Sequence, residues 1–390
     1  MRAQIAVFGA AFLTTLLVTP LVQRVARRIG AVVRPDDRRV HEVPTPTLGG
    51  LAMLLGFGAA LLVAWRLDFY APVFDSTTEP LGVLLAALVI FSVGLFDDVR
   101  EMSAPAKTAG MVLAGTILSI SGVTILFFRI PLWDLVVLSP DLSAVLTVAW
   151  VVGMANAVNL IDGLDGLAAG IVAIAAGSFF LYGERLSDAG VIDQSNIGAL
   201  LALIVLGIAL GFLPHNFNPA RVFMGDSGAL LLGLLLAAST VSVGGSTSQP
   251  FSGQVYFFFA PLFIPLFILG VPIIDTLFAI VRRASRRSGL ATADKDHLHH
   301  RLMRLGHGQR RSVLILWAWT AILSGLVLYP AYTGRGDAVV PLAVVALGFG
   351  LYVFFHPGIR RPRPVNAQSE GNLHPKQDSH AESAQVPHAE

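Results

Sequence analysis

Two adjacent aspartates, Asp97 and Asp98, end one of the long apolar runs of this 390-residue chain. Packing does not compensate the repulsion between neighbouring carboxylates, whereas a hard cation with oxygen ligands would relieve it. Lys107 follows in what we predict to be the same short loop. The pair is therefore a candidate divalent-metal site. The alternative is a helix that simply ends in two solvated residues.

A second acidic cluster, NAVNLIDGLDGLAAG, covers residues 156–170. Asn159, Asp162 and Asp165 are spaced by three, so one helical turn would stack them on one side. Glycines between them, such as Gly163, would let a backbone approach a ligand closely, and carboxylates at membrane depth are costly enough to suggest function. A helix–loop–helix turn capped by Asn and Asp is the alternative.

A third cluster, HNFNPARVFMGDSG at 215–228, immediately precedes another apolar run. Asp226 is a candidate metal ligand, and Phe223 offers an aromatic face to a flat base. Alternatively, Asp226 and Ser227 only cap the next helix while Phe223 packs beneath it.

Basic and imidazole groups are concentrated in two further segments. DKDHLHHRL at 294–302 has three histidines within four residues and follows four arginines at 282–287. These donors suit a pyrophosphate, although membrane topology alone would explain the arginines. The segment RPDDRRVH at 34–41 could hold a lipid phosphate or an anionic headgroup, or simply orient the first helix.

Composition indicates which elements must position these residues. Hydrophobic residues make up 54% of the chain and charged residues 13%, with a mean hydropathy of +0.70, whereas a soluble domain has about 25% charged residues. Apolar runs near the roughly 20 residues that span a bilayer recur, and lipid leaves only helices for such runs. A β-barrel is excluded because these runs are apolar on every face. Because the chain has no cysteine, any metal must use oxygen or imidazole ligands.

We therefore predict an all-α polytopic membrane protein with eleven transmembrane helices. Of the 27 basic residues, 21 lie in one alternating set of connecting segments and four in the other, which places the N-terminus outside and the C-terminus in the cytoplasm. Residues 1–355 would form one membrane domain, and the polar tail 356–390 would be disordered. Ile130 to Leu138 is predicted to form a short extracytoplasmic hairpin. The predicted spans are 4–24, 47–65, 80–96, 108–128, 142–160, 166–182, 196–214, 226–243, 257–281, 312–330 and 338–355.

The motifs, in this order on one topology, resemble the polyprenyl-phosphate N-acetylhexosamine-1-phosphate transferase family over about residues 30–310. His-x-His-His in the last inner loop, together with Arg38 and His41, is similar to the N-acetylglucosamine-1-phosphate branch. The phospho-N-acetylmuramoyl-pentapeptide transferase branch typically has Pro-x-His-His-His there. Pro105 departs from the family pattern. The four motifs are GLFDDVREMSAPAK at 94–107, NAVNLIDGLDGLAAG at 156–170, FNPARVFMGDSG at 217–228 and DKDHLHHRL at 294–302.

The resemblance implies transfer of N-acetylglucosamine 1-phosphate from UDP-N-acetylglucosamine to a polyprenyl phosphate, with release of UMP. This would be the first membrane step of cell-wall or surface polysaccharide synthesis, such as lipopolysaccharide, arabinogalactan or teichoic acid. It also implies Mg²⁺ or Mn²⁺ as cofactor, an active site on the cytoplasmic side of the plasma (inner) membrane, membrane lipid but no nucleic acid as partner, and a homodimer. The pentapeptide transferase is the alternative within the family. An ion-coupled transporter is the alternative from another class, and it would place its acids at mid-membrane depth.

The resemblance also implies roles for individual residues. Asp97 would orient or deprotonate the lipid phosphate, and Phe223 would lie against the uracil. The implied catalytic residues are Asp97, Asp98, His297, His299 and His300. The implied metal-binding residues are Asp226, Asp98 and Asn159. The implied substrate-binding residues are Lys107, Asn156, Asp162, Gly163, Asp165, Asn218, Phe223, Arg38, His41 and Arg301.

Overall fold

The computed structural model describes residues 1–33, 44–129, 135–244 and 308–333, together with residues 344, 345 and 348. These residues are mostly helical. The helices are α1 (Arg2–Ile29), α2 (Gly49–Trp65), a 3₁₀ turn (Asp68–Tyr70), α3 (Ala71–Ser76), α4 (Glu79–Arg100), α5 (Ala104–Ile120), α6 (Pro140–Ile161), α7 (Leu167–Asp188), α8 (Ile197–Asn216), α9 (Gly225–Gly244) and α10 (Gln309–Thr333). Two antiparallel strand pairs complete the described elements: β1 (Val32–Val33) with β2 (Thr45–Pro46), and β3 (Phe127–Arg129) with β4 (Leu135–Val137).

Seven of the described helices are long and apolar enough to cross a membrane. The number reaches eight if α2 and the short helices after it, which are bent by 90° against it, form one broken span. The prediction of a mostly helical, multi-pass membrane protein is therefore confirmed. The predicted span 257–281 lies outside the described residues, and the span 338–355 is described only at 344, 345 and 348.

The predicted span 108–128 is wrong at both ends. Helix α5 begins at Ala104, so Lys107 lies in its first turn and not in a loop. Pro105 is the second residue of this helix, where proline is tolerated because its missing N–H has no intrahelical partner. The helix stops at Ile120, and Gly122 turns the chain with a positive φ of 101°. The predicted hairpin exists, but its first strand begins at Phe127, within the predicted span.

Helix α9 is the central helix of the described bundle and is almost fully buried. It packs against α2, α4, α6 and α8, which surround it. Its sequence begins with Gly225-Asp226-Ser227 and continues as an apolar run rich in leucine and alanine. The fold therefore places Asp226 at one end of the bundle axis, where the ends of α4 and α6 can also reach it.

Glycines allow α2 and α4 to approach the start of α9 closely. A Cβ on Gly94 of α4 would lie 2.5 Å from the backbone of Ser227, and a Cβ on Gly50 of α2 would lie 2.5 Å from the Ser227 Oγ. At the start of α2, the Gly49 N–H donates to the Phe223 carbonyl (3.0 Å) and the Gly50 N–H to the Met224 carbonyl (2.9 Å). The first N–H groups of α2, which have no partner within that helix, thus hold the segment that leads into α9.

We predict that Gly50→Ala destabilises the protein by about 1–3 kcal/mol because the new methyl group would overpack the contact with Ser227. The matched control is Gly58→Ala in the same helix, where a Cβ would meet nothing within 4 Å. Alanine should be neutral or slightly stabilising there because glycine is the poorer helix former. Thermal unfolding of the purified protein in detergent measures both effects. Equal unfolding temperatures for the two variants would contradict the predicted contact.

Candidate active site

The carboxylate of Asp98 caps the first turn of α9. Its Oδ1 accepts a hydrogen bond from the Asp226 N–H (2.7 Å), and its Oδ2 accepts from the Ser227 N–H (3.1 Å) and the Ser227 hydroxyl (2.7 Å). An anion at a helix N-terminus satisfies free N–H groups and interacts favourably with the helix dipole. A Cβ at Gly225 would lie 2.6 Å from Asp98 Oδ1. Asp98 thus ties the end of α4 to the start of α9, and its predicted role as a metal ligand stays a prediction.

Asp97 and Asp226 share the ammonium group of Lys107. Lys107 Nζ lies 3.1 Å from Asp97 Oδ2 and also contacts Asp226 Oδ2. The other oxygen of Asp97 accepts a hydrogen bond from the Met102 N–H at 2.5 Å, which fixes the carboxylate against the short link between α4 and α5. Carboxylates from α4 and α9 therefore face one another across a single positive charge from α5.

Asn159 of α6 completes this group. In the amide orientation that suits both neighbours, its Nδ2 donates to Asp226 Oδ1 (3.0 Å) and its Oδ1 accepts from Lys107 Nζ (3.1 Å). The cluster formed by Asp97, Lys107, Asn159 and Asp226 is called the acidic cluster below. Four helices contribute to it, so the structure brings together four residues that the sequence placed in three separate motifs.

The acidic cluster offers oxygen ligands of the kind that Mg²⁺ and Mn²⁺ prefer. Within residues 1–33, 44–129, 135–244 and 308–333, no three acidic or histidine side chains form a complete metal-binding set. Mg²⁺ usually binds one or two carboxylates, retains several waters and takes further ligands from substrate phosphates. Two carboxylates and one amide oxygen fit that mode of binding, with Asp226, Asp97 and Asn159 as the residues that would hold the ion.

Asp162 lies in the turn after α6, and its side chain is half-buried. Desolvation, together with the smaller effect of the negative charges of Asp98 and Asp165, raises the pKa of its carboxyl group to about 7. Near neutral pH this carboxyl group is thus present in both protonated and ionised forms. The group can then donate as well as accept a hydrogen bond at the edge of the site.

The predicted stacking of Asn159, Asp162 and Asp165 along one helical turn is wrong. Helix α6 ends at Ile161, and the chain turns through 162–166 before α7 begins. Gly166 has a φ of 77°, a left-handed conformation that glycine adopts without strain. Only Asn159 remains on the helix, where it reaches the acidic cluster.

Asp165 holds the segment that precedes α9. Its Oδ2 accepts hydrogen bonds from Asn218 Nδ2 and from the Ala220 N–H, both at 2.9 Å. Asn218 Nδ2 also donates to Gln309 Oε1 (2.8 Å), and its side-chain and backbone oxygens accept from Arg310 Nε (3.1 Å each). The segment 217–224 is therefore fastened to the turn before α7 and to the first turn of α10.

Sequence reasoning missed three residues that fix this segment: Asn216, Gln309 and Arg310. Asn216 is buried, its Oδ1 accepts from the Gly166 N–H (3.0 Å), and its Nδ2 donates to the Val222 carbonyl (3.0 Å). The available signal was an amide at the end of an apolar helix, which needs partners once it is buried. No sequence pattern pointed to Gln309 or Arg310.

Three of the remaining predicted site residues are described by the structure, and six lie outside the described residues. Asn156 donates to the Val152 carbonyl (2.8 Å) and to Met111 Sδ (3.2 Å), so it links α6 to α5. Phe223 is half-buried and Gly163 is exposed in the turn after α6. The other predicted site residues lie outside the described residues: Arg38, His41, His297, His299, His300 and Arg301.

Comparison with known proteins assigns these motifs to one family. The model of glycosyl transferase family 4 matches residues 80–244, a range that contains the whole acidic cluster. A decaprenyl-phosphate N-acetylglucosaminephosphotransferase of Mycobacterium tuberculosis is 38% identical over 358 residues, which cover 90% of this chain and 88% of the relative.

Two further relatives show that the similarity extends across branches. A probable undecaprenyl-phosphate N-acetylglucosaminyl 1-phosphate transferase of Bacillus subtilis is 36% identical over 310 residues, 80% of either chain. A phospho-N-acetylmuramoyl-pentapeptide-transferase of Desulforudis audaxviator is 36% identical over 344 residues, 82% of this chain and 96% of the relative.

We predict that Asp98→Asn lowers the stability of the protein by about 1–3 kcal/mol because the amide would present N–H groups to donors of α9. Ser227→Ala removes only one of the three hydrogen bonds and should cost less. Thermal unfolding in detergent tests whether Asp98→Asn unfolds at a lower temperature than Ser227→Ala. An Asp98→Asn protein as stable as the wild type would contradict the capping role.

Proposed function

This chain belongs to glycosyl transferase family 4, and on that premise we propose that it transfers N-acetylglucosamine 1-phosphate from UDP-N-acetylglucosamine to a polyprenyl phosphate and releases UMP. The observation that carries the proposal is the acidic cluster, in which Asp97, Lys107, Asn159 and Asp226 meet at one end of the helical bundle. Two similar proteins are named for this transfer, with decaprenyl and undecaprenyl phosphate. The product would start a cell-wall or surface polysaccharide on its lipid carrier.

We further propose that the acidic cluster faces the cytoplasm in the plasma membrane. The end of α4, the end of α6 and the start of α9 meet in this cluster. They adjoin the predicted connecting segments 97–107, 159–165 and 214–226, which belong to the alternating set that holds 21 of the 27 basic residues. With the eleven predicted spans, the positive-inside rule places these segments in the cytoplasm and the N-terminus outside. A transporter would place such acids near the middle of the membrane, whereas these lie at helix ends.

The proposed chemistry needs charge neutralisation more than a strong base. The lipid phosphate has a second pKa near 6, so it is largely ionised at cytoplasmic pH. One of its oxygens attacks the sugar-bearing phosphorus, a new P–O bond forms, and the bond to the oxygen that leaves with UMP breaks. Because both substrates are anions, positive groups must hold them together in an in-line arrangement.

Within this proposal, Asp226 and Asn159 would hold Mg²⁺ or Mn²⁺, and Asp97 would contribute a further oxygen ligand to the ion. The ion supplies neutralising charge to the phosphoryl groups when it is bound. Asp97, fixed by the Met102 N–H, orients the lipid phosphate or accepts its last proton. Because three hydrogen bonds already occupy Asp98, we assign it to holding the start of α9 and only secondarily to the metal.

The histidine segment is proposed to bind the pyrophosphate. Gln309, in the first turn of α10, contacts Asn218 of the segment before α9, and His300 precedes Gln309 by nine residues. The homodimer implied by the family resemblance stays a prediction.

We predict that Asp226→Ala and Asp97→Ala each lower UMP release by about a hundredfold or more while the protein still inserts into membranes. The assay combines purified full-length protein, Mg²⁺, polyprenyl phosphate and a panel of UDP-sugars, and mass spectrometry identifies the lipid product. Asp75→Ala, which removes an exposed acid from α3, is the matched control and should retain activity.

Three outcomes would contradict the proposal. Near-wild-type turnover in Asp226→Ala would remove the metal role from the acidic cluster. Transfer only from UDP-N-acetylmuramoyl-pentapeptide would favour the peptidoglycan branch, whose member from D. audaxviator is 36% identical to this chain. Ion flux in proteoliposomes without nucleotide-sugar turnover would favour a transporter.

A further inference from the structure

We infer that the ammonium group of Lys107 and the divalent cation are alternative occupants of one position, so that metal binding expels Lys107 from between Asp97 and Asp226. This inference rests on the proposed function and adds a step to it. Lys107 would balance the carboxylates until a metal arrives, and would then become available to a substrate phosphate.

The first argument is geometric. Three oxygen atoms, from Asp97, Asn159 and Asp226, converge on Lys107 Nζ, two of them at 3.1 Å and the third in direct contact. They come from three helices and are of the carboxylate and amide type that Mg²⁺ and Mn²⁺ prefer. The point at which these ligands meet is therefore the point that Nζ occupies.

The second argument is electrostatic. A divalent ion bound to the same oxygens would lie within a few ångströms of Nζ, and two cations at that distance repel strongly in a partly buried site. The Lys107 side chain is only 16% exposed, so water screens this repulsion poorly. Because both cations need the same carboxylate charge, they compete for it.

The third argument is the choice of residue. The chain has 27 basic residues, and only three of them are lysines: Lys107, Lys295 and Lys376. A lysine ammonium is a compact point charge on a flexible four-carbon stem, whereas a guanidinium is a planar fork that holds two oxygens side by side. Lysine is thus the basic residue that best resembles a metal ion in size, and its stem can swing aside while α5 stays in place.

The test follows the reactivity of Lys107 in the wild-type protein. Purified full-length protein is treated with a limiting amount of an acetylating reagent, with and without Mn²⁺ and with no substrate present. Mass spectrometry then gives the acetylation rate at each of the three lysines. We expect Mn²⁺ to raise the rate at Lys107 several-fold and to leave Lys376, the internal standard, unchanged.

A second measurement compares Mn²⁺ affinity between variants by electron paramagnetic resonance of the free ion. Lys107→Met should lower the Kd for Mn²⁺ by about tenfold, equivalent to about 1.4 kcal/mol, because the competing cation is gone. Arg100→Met is the matched control: it removes an equal charge from the exposed end of α4 and should change the Kd much less.

The outcomes separate this inference from the function on which it rests. If Mn²⁺ binds, and Asp226→Ala abolishes that binding, but neither the acetylation of Lys107 nor the Kd of Lys107→Met changes as expected, the competition is overturned and the proposed function stands. If the wild type binds no Mn²⁺ and transfers sugar phosphate after metal removal, the metal role and this inference are both overturned.

Discussion

The first turn of α9 is held by one carboxylate of α4, and the rest of the site depends on that interaction. Asp98 accepts three hydrogen bonds from Asp226 and Ser227, which fixes where the central helix begins. Because Asp97 is the neighbouring residue in α4, the same interaction sets Asp226 opposite Asp97. Glycines at 94 and 225 permit the approach, since a Cβ at either position would collide with the partner segment.

Carboxyl groups are kept near one another here by three different physical means. Asp98 is stabilised by N–H groups at a helix N-terminus, and Asp97 and Asp226 share the charge of Lys107. Asp162 is accommodated by a pKa raised to about 7, chiefly through desolvation, so that it is partly neutral. The carboxylates outnumber the single ammonium group of Lys107, and oxygen ligands of this kind are the ones that Mg²⁺ and Mn²⁺ prefer.

The sequence predicted most of the long helices because the length and hydropathy of an apolar run indicate a membrane span. It also predicted that the acidic motifs converge, because the order of the spans determines which connecting segments lie on the same face of the membrane. It did not predict that Asp98 caps α9, since a hydrogen bond between residues 128 positions apart leaves no local pattern. The spacing of Asn159, Asp162 and Asp165 predicted one shared helical face, but α6 ends at Ile161, so Asp162 and Asp165 lie in the turn that follows. Lys107 was assigned to a loop because the predicted span began at residue 108, whereas α5 begins at Ala104 and Pro105 is compatible with its first turn.

The most direct test of the account is whether positions 97 and 226 lie side by side. The chain has no cysteine, so Asp97→Cys and Asp226→Cys can be introduced singly and together without other substitutions, and Cd²⁺ binding can be measured by calorimetry in detergent. The account predicts that the double variant binds one Cd²⁺ far more tightly than either single variant, because two thiolates replace two carboxylates that contact one Lys107 Nζ. A double variant that binds Cd²⁺ no more tightly than the single variants would contradict it.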